Sequence, residues 1–382
     1  MGTDLTDVQL KKDFTWMIPY LEKISDNGYF YNPRKMLTYR RPFNFIQTGR
    51  SIGKSTITAC MCILNYIKKQ GKFIYIRRTD DETVLGARDF LHDASVLIDE
   101  KLGIKNHCYY DGGKFYIDEL DEDGEPTKVE IGRAIPLSMV YKRKSMISEG
   151  TDMLIFDEFV PQSMRESLGK MDDLTEEYDR ICNLYATVDR KRGKAWLNET
   201  MLICLGNSST LFNSMYVGLN ALKYIKDDSK IICPKHEIFF IERIDKVEAT
   251  SDIENSFSFR ILTESERNKM FKNDTGELAS RYLLKNKPDG SRPYGNFIMK
   301  GKKYGVYYSA HSHMVWVGDP ASNEETFSLD IDGHEMSDAE LITNWKDFSL
   351  MNIVSSAYKK SRCFFRNIKI QNELLTYLRF SV

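Results

Sequence analysis

The chain has 382 residues, of which 42% are hydrophobic and 29% are charged, and its formal net charge at pH 7 is -1. This composition is typical of an ordinary globular protein and argues against an intrinsically disordered or membrane-embedded chain. The length exceeds the size at which a single hydrophobic core stops growing, which favours two domains. Because the net charge is close to zero, a polyanionic partner would have to bind a local basic surface.

The cysteines and the apolar runs indicate the cellular compartment in which the protein is expected to act. Seven cysteines are scattered along the chain without a C-x-x-C pair, which favours reduced thiols in a cytosol. No apolar stretch approaches the roughly 18 residues that a membrane-spanning helix needs. Residues 1–14 are polar, unlike a signal peptide. The sequence therefore predicts a cytosolic protein that is not part of a membrane.

Taken in chain order, the patterns between residues 40 and 206 predict strands joined by crossover helices in a mostly parallel sheet, an α/β fold. Strands are predicted at 43–47, 72–76, 153–156 and 201–205, helices at 55–70 and 172–188, and a hairpin beside the main sheet at 114–117 and 127–131. Beyond about residue 225, aromatic and β-branched segments with frequent turns predict a smaller β-rich domain. The predicted boundaries are a first domain at 1–207, a linker at 208–235 and a C-terminal domain at 236–382.

A glycine-containing loop follows the first predicted strand. Its residues are Thr48, Gly49, Arg50, Ser51, Ile52, Gly53, Lys54 and Ser55. A triphosphate needs inward-pointing backbone N–H groups, a helix N-terminus and a mobile cation, and such a loop supplies all three. Lys54 is expected to reach the β and γ phosphates, and the Ser55 hydroxyl is expected to bind Mg²⁺. The usual pattern is G-x-x-x-x-G-K-[ST], and here Thr48 stands at the position of its first glycine.

Two acidic residues end the apolar strand predicted at 153–156. Asp157 is expected to bind Mg²⁺, and Glu158 is expected to polarise the water that attacks the γ phosphate of ATP. Asn207, after the strand at 201–205, is a candidate sensor of the γ phosphate. The negative transition state also requires a cation, for which the candidates are Arg180, Arg190 and Arg192. Sequence spacing alone does not choose among these arginines.

Two other patterns point to different chemistry. Residues 286–289 read N-K-P-D and residues 121–124 read D-E-D-G, as in GTPases, but neither follows a buried strand cleanly. His311 and His313 lie two residues apart on a strand and could bind a metal with a third ligand. No cysteine or acid is suitably spaced nearby. Both patterns are weaker than the phosphate loop.

Five segments of the chain resemble the DNA-encapsidation ATPases of phi29-like bacteriophages: residues 30–37, 49–55, 74–78, 134–138 and 155–159. The resemblance is good over residues 29–210 and thin beyond. That family consists of ring-forming P-loop ATPases of the additional-strand catalytic-glutamate class, which drive double-stranded DNA through a portal into an empty prohead. The resemblance implies the same activity here, with ATP and Mg²⁺. It also implies a homopentameric ring on a prohead RNA, in the host bacterial cytoplasm and transiently docked on the prohead.

The resemblance also implies a site shared between subunits. By position, Lys144 matches the family's trans-acting lysine and Arg190 matches its arginine finger. Contacts to DNA or RNA would be independent of sequence, and Lys142, Arg143 and the basic segment 341–382 are candidates for them.

The C-terminal domain resembles the ribonuclease-H-type nuclease of related large terminases, which needs clustered carboxylates. The corresponding strand has no acid near Tyr307, although Asp319, Asp330 and Asp332 follow. The resemblance therefore implies a nuclease-like fold without cutting activity. A nuclease-competent large terminase and a P-loop nucleotide switch without motor activity remain the alternatives.

Overall fold

The computed structural model falls into two compact units, of which the first contains Met1–Val160, Glu177–Ser208 and Lys230–Asn273 and the second contains Pro161–Glu176, Ser209–Ser229 and Asp274–Val382. The residues that the structure describes are 12–26, 30–49, 52–120, 124–141, 150–160, 171–190, 200–207, 213–225, 229–244, 283–299, 301–322, 324–328, 340–341, 349–359, 362–367, 369–371 and 373–374.

The first unit is built on a nine-stranded sheet. Its strands are β1 Phe43–Thr48, β2 Lys72–Arg77, β3 Cys108–Asp111, β4 Lys114–Leu120, β5 Pro126–Pro136, β6 Thr151–Asp157, β7 Met201–Asn207, β8 Ile231–Ile232 and β9 Phe239–Ile244. The strand order is β3-β4-β5-β2-β6-β7-β1-β9-β8. The central pairs from β5 to β9 are parallel, whereas β3, β4 and β8 run antiparallel to their neighbours.

Helices cover the sheet of the first unit. They are α1 Ile18–Ser25, α2 Arg34–Tyr39, α3 Lys54–Lys69, α4 Asp80–Phe90, α5 His92–Leu102 and α6 Met171–Asp189, which belongs to this unit from Glu177 onward. Every residue of β1 and β6 is buried, as expected for parallel strands with both faces covered. The apolar side chains of α3 pack into the main core cluster. Among the described residues, no helix combines the length and apolar character needed to cross a membrane.

The second unit contains a six-stranded sheet in the order β14-β13-β10-β11-β12-β15. Its elements are α7 Ser214–Gly218, β10 Arg292–Met299, β11 Lys302–Ser309, β12 Met314–Gly318, β13 Thr326–Ser328, β14 Glu340–Leu341, α8 Ser349–Lys359 and β15 Cys363–Phe365. The strands β10, β11 and β12 form an antiparallel meander, and β13 and β15 are parallel to their neighbours. A β-rich unit at the C-terminal end of the chain is therefore confirmed.

The α/β prediction is confirmed, together with the predicted strands β1, β2, β6 and β7 and the predicted helices α3 and α6. The hairpin is β4–β5, but it is not a separate insertion, because β5 continues the main sheet through parallel pairing with β2. The boundary placed at residues 208–235 also differs from the structure. β8 lies in the predicted linker and β9 in the predicted C-terminal domain, yet β9 pairs with β1 in the first sheet. A short apolar run does not itself indicate which of two sheets it will join.

Candidate active site

The predicted phosphate-binding and metal-binding residues that the structure describes lie at one edge of the first sheet. β6, β7 and β1 are adjacent and parallel, so their carboxyl ends meet at the same edge. In the pairing register Asp157 is opposite Leu205, and Thr48 is opposite Asn207. The phosphate loop, the two acids and Asn207 therefore converge, as ligand sites of α/β proteins generally do at the carboxyl ends of parallel strands.

Lys54 is the first residue of α3 and connects three parts of this edge. Its Nζ donates a hydrogen bond to Asn207 Oδ1 at 2.8 Å and a longer one to the Gly49 carbonyl at 3.4 Å. The Lys54 ammonium group therefore lies next to the phosphate loop and beside Asn207, the residue predicted to sense the γ phosphate. The Thr48 side chain is fully buried, and its hydroxyl donates to the Gly49 carbonyl at 2.8 Å. Thr48 is the last residue of β1. Arg50 and Ser51 lie outside the described residues.

The segment before α2 packs against the phosphate loop. The Tyr31 N–H donates to the Ile52 carbonyl at 2.7 Å, and its hydroxyl donates to Glu242 Oε2 on β9 at 2.8 Å. Burial raises the pKa of Tyr31, and the adjacent Glu242 carboxylate raises it further, so the phenol keeps the proton that it donates. Burial also raises the pKa of Glu242. The contacts of Tyr31 with Ile52 and with Glu242 were not predicted, because these residues are far apart in the sequence.

Gly53 has a left-handed backbone, with φ at 58°, at the N-terminus of α3. A Cβ atom added there would also overlap the Phe30 ring. We expect Gly53→Ala to lower both the free energy of unfolding and the affinity for ATP, because the left-handed conformation costs about 1–2 kcal/mol for a residue with a side chain and the ring must move as well. Urea denaturation and titration with a fluorescent ATP analogue would measure the two effects.

Gly112 provides the matched control for that substitution. Its φ is 59°, but an added Cβ would meet nothing within 4 Å. Gly112→Ala should therefore show only the backbone cost and leave ATP affinity unchanged. Equal losses of stability and affinity in the two variants would contradict the role given to the packing of Phe30 against the loop.

Asp157 ends β6 and uses its two oxygens differently. Oδ1 accepts a long hydrogen bond from the Ser55 hydroxyl at 3.5 Å, while Oδ2 accepts from the Tyr75 hydroxyl at 2.9 Å and from Arg77 Nη2 at 2.8 Å. Carboxylate and hydroxyl oxygens are the hard donors that Mg²⁺ prefers. Ser55 Oγ and Asp157 Oδ1 therefore fit the predicted metal site.

Tyr75 and Arg77 were not predicted as site residues. They lie two apart on β2, so both side chains point to the same face of the strand, and Arg77 Nε donates to the Tyr75 hydroxyl at 2.8 Å. Burial and the neighbouring Asp157 raise the pKa of Tyr75, so its phenol stays protonated and donates to the carboxylate. The sequence does show two polar residues at alternate positions of an otherwise apolar strand, which could have indicated a functional role. Their contact with Asp157 on β6 could not be predicted, because it depends on the strand order.

Glu158 follows β6 with a left-handed backbone, with φ at 61°, which is uncommon for a residue other than glycine. Its side chain is about one-third exposed, at 35%, so water can reach the carboxylate. Arg77 Nη1 lies 3.5 Å from Glu158 Oε2. Arg78 donates to the backbone carbonyls of Glu158 at 2.5 Å and Phe159 at 2.7 Å. Unusual backbone conformations of this kind cluster at functional sites, where surrounding contacts hold them.

The cations predicted to act across subunits are only partly described. Arg190 is exposed directly after α6, whose end is fixed by the buried Asp189 carboxylate, which accepts from the Thr200 N–H at 3.1 Å. The Arg180 guanidinium instead lies over the Tyr141 ring, 5.8 Å from its centroid. Lys144 and Arg192 lie outside the described residues, as do Lys142 and Arg143. Their roles remain predictions.

Of the three acids considered for a nuclease site, Asp319 alone lies in the described part of the chain. Asp319 forms an ion pair with Arg366, and Asp330 and Asp332 lie outside the described residues. His313 Nδ1 lies 3.2 Å from the Tyr308 hydroxyl. No group of three potential metal ligands occurs among the residues that the structure describes.

Comparison with known proteins identifies the family of the chain. The model of the podovirus DNA encapsidation protein (Gp16) family matches residues 25–380. The DNA packaging protein of Bacillus phage phi29 is 25% identical over 351 residues, which cover 91% of this chain and 96% of that protein. The DNA packaging protein of Bacillus phage B103 is also 25% identical, over 87% of this chain and 95% of that protein.

Solved structures agree with this assignment at the level of the fold. A chain of the bacteriophage Phi-29 viral genome packaging motor assembly has a TM-score of 0.53 at 24% identity, covering 92% of this chain and 99% of that chain. A chain of the Phi-28 gp11 DNA packaging motor has a TM-score of 0.54 at 14% identity, covering 92% of this chain and 97% of that chain. Since the family model spans most of the sequence, the chain belongs to the podovirus DNA encapsidation protein (Gp16) family.

Proposed function

We propose that this chain is the ATP-hydrolysing subunit of a viral motor that moves double-stranded DNA through a portal into a prohead. The observation that carries the proposal is the convergence of Lys54, Ser55, Asp157, Glu158 and Asn207 at one edge of the first sheet. This set supplies a phosphate-binding cation, two metal-binding oxygens, a carboxylate accessible to water and an amide near the γ phosphate. Membership of the family and relatives named DNA packaging proteins support the same activity.

In the proposed mechanism, the backbone of residues 48–55 and Lys54 bind the phosphates of ATP. Ser55 and Asp157 would hold Mg²⁺, which neutralises charge on the phosphate oxygens when bound. Glu158 orients the attacking water and accepts its proton, and Asn207 contacts the γ phosphate. Tyr75 and Arg77 hold Asp157 in place.

The site would be completed in a homopentameric ring. Arg190 and Lys144 of an adjacent subunit would contribute the cations that stabilise the negative transition state. Prohead RNA and the portal are the proposed docking partners, in the cytoplasm of the host. The second unit would bind nucleic acid and would lack cutting activity.

Packaging of DNA into proheads of the parent phage tests the proposal. We expect DNA to become protected from nuclease only when the chain, ATP and Mg²⁺ are all present, and we expect Lys54→Ala to abolish protection because it removes the phosphate-binding cation. Protection in the absence of ATP hydrolysis would contradict motor activity. An ATPase rate per subunit that never rises with protein concentration or with DNA would favour a nucleotide switch.

The same preparation tests the proposal that the second unit does not cut DNA. Plasmid incubated with the chain and Mg²⁺ or Mn²⁺ should stay intact. Robust cleavage that Asp319→Ala abolishes would favour the nuclease-competent terminase instead.

A further inference from the structure

Arg78 lies where the hydrolytic site meets α6. Its guanidinium donates to the carbonyls of Glu158 and Phe159 and to both oxygens of Glu177, at distances between 2.5 and 3.3 Å. We propose that Arg78 and Glu177 are positioning residues that fix Glu158 and couple it to the helix that presents Arg190 to the next subunit. This inference rests on the proposed function, because it requires Arg190 to act in trans.

The backbone of Glu158 is left-handed, with a φ of 61°, and Arg78 contacts the Glu158 carbonyl. Arg78 Nη1 donates to that carbonyl and Nη2 to the carbonyl of Phe159, while the Phe159 N–H donates to the Leu205 carbonyl on β7 at 3.0 Å. Two successive peptide groups are therefore held by hydrogen bonds. Since the carboxylate projects from this turn, its direction depends on Arg78.

Glu177 is buried, with an exposed fraction of 8%, and forms an ion pair with Arg78. Arg78 Nε lies 2.7 Å from Glu177 Oε2, and Arg78 Nη2 lies 3.3 Å from Glu177 Oε1. This bidentate ion pair fixes the orientation of the two side chains as well as the distance between them. The guanidinium also lies over the Phe156 ring, 5.5 Å from its centroid. A lysine could not reproduce this arrangement, because its single ammonium lacks the planar fork.

α6 connects Glu177 to the residue directly before Arg190. From Glu177 to Asp189 the helix continues for about 18 Å, at 1.5 Å per residue. Asp189 fixes its far end to Thr200 at the start of β7, and Arg190 follows directly. A shift of the Glu158 turn would therefore be transmitted through Arg78 and Glu177 to α6, and along α6 to the end that precedes Arg190. The state of the nucleotide site in one subunit would in this way change the position of the Arg190 side chain that the same subunit presents to its neighbour.

Arg77 and Arg78 are adjacent but act on different parts of the site. Arg77 contacts the side-chain oxygens of Asp157 and Glu158. Arg78 contacts backbone carbonyls and Glu177. Loss of Arg78 or Glu177 should therefore leave ATP binding nearly unchanged and lower kcat.

Mixed rings separate the two effects of the Arg78–Glu177 pair. One subunit carries Arg190→Ala, so its nucleotide site is intact but it provides no arginine finger to its neighbour. The other subunit carries Lys54→Ala, so it provides an arginine finger but binds no ATP. The mixture should hydrolyse ATP although neither variant does alone. Adding Glu177→Gln to the Lys54→Ala subunit should then lower kcat by about tenfold, the effect of losing one charge-assisted hydrogen bond, even though that subunit's own site is already inactive.

Glu177→Gln keeps the size of the side chain, and Asp179→Asn, on an exposed residue of the same helix, should have no effect in either subunit. Arg78→Lys should lower kcat to a similar extent, and the double variant should lose little more, because the two residues act as one unit. KM for ATP should change less than kcat in the Arg190→Ala subunit carrying Glu177→Gln.

Three results would overturn the inference. If the original mixture is inactive, the trans arrangement fails and the inference fails with it. If the mixture is active but Glu177→Gln in the Lys54→Ala subunit leaves kcat unchanged, the inference alone is wrong. If Arg78→Lys weakens ATP binding as much as it lowers kcat, the pair supports the fold of the site and does not position Glu158.

Discussion

Replacing Glu158 with glutamine is expected to lower kcat for ATP hydrolysis by about 10²–10⁴-fold, the usual contribution of a general base. Glutamine has the same shape but cannot accept the proton of the attacking water. ATP should still bind, because in the proposed site the phosphates are bound by the loop and Lys54 and not by Glu158. Steady-state hydrolysis together with binding of a fluorescent ATP analogue would measure the two effects separately.

The matched control is Glu100→Gln, on an exposed residue of α5 in the same unit. It makes the same chemical change away from the site and should leave both kcat and binding unchanged. Wild-type hydrolysis by the Glu158→Gln variant would show that another residue, and not Glu158, activates the water.

The largest effect is expected for Arg190→Ala, which should lower kcat by about 10³–10⁵-fold. An arginine supplied by the neighbouring subunit stabilises charge that develops only in the transition state, so ATP affinity should fall much less than kcat. Arg190 is exposed directly after α6, as a residue that acts on another copy of the chain would have to be. Hydrolysis rates of assembled rings, measured alongside nucleotide binding, would test this expectation.

Arg180→Ala and Arg192→Ala discriminate among the arginines that sequence spacing left open. Arg180 lies over the Tyr141 ring, so its removal should cost packing and not catalysis. A loss of kcat in Arg180→Ala or Arg192→Ala that exceeds the loss in Arg190→Ala would transfer the role of the finger to that residue.

The parts of the site that could be predicted are those encoded by neighbouring residues. Gly53, Lys54 and Ser55 are contiguous at the start of the amphipathic helix α3, and the acids Asp157 and Glu158 stand at the end of one apolar strand. Such local signals do not depend on which strands are adjacent. The convergence of loop and acids at one edge then follows from the parallel order of the sheet.

The contacts that hold the site in place could not be predicted in this way. Tyr75, Arg77 and Arg78 act on Asp157 and Glu158 only because β2 lies next to β6, with Ile76 opposite Phe156 in the register. Strand order is a long-range property that no single segment specifies. The same reason explains why Glu242 on β9 was not associated with Tyr31, and why the domain boundary was placed before β9.

The position of β9 has a practical consequence for fragments of this protein. A fragment ending at residue 207 would lack β9, which pairs with β1 along Phe43 to Thr48. One edge of the six-residue strand β1 would then lose its pairing, so that alternate residues would present unpaired N–H and C=O groups, and an open apolar edge of that kind recruits other chains into aggregates. It would also lack Glu242, so Tyr31 beside the phosphate loop would lose the acceptor of its hydroxyl. An independently folding ATPase fragment should therefore extend through Ile244.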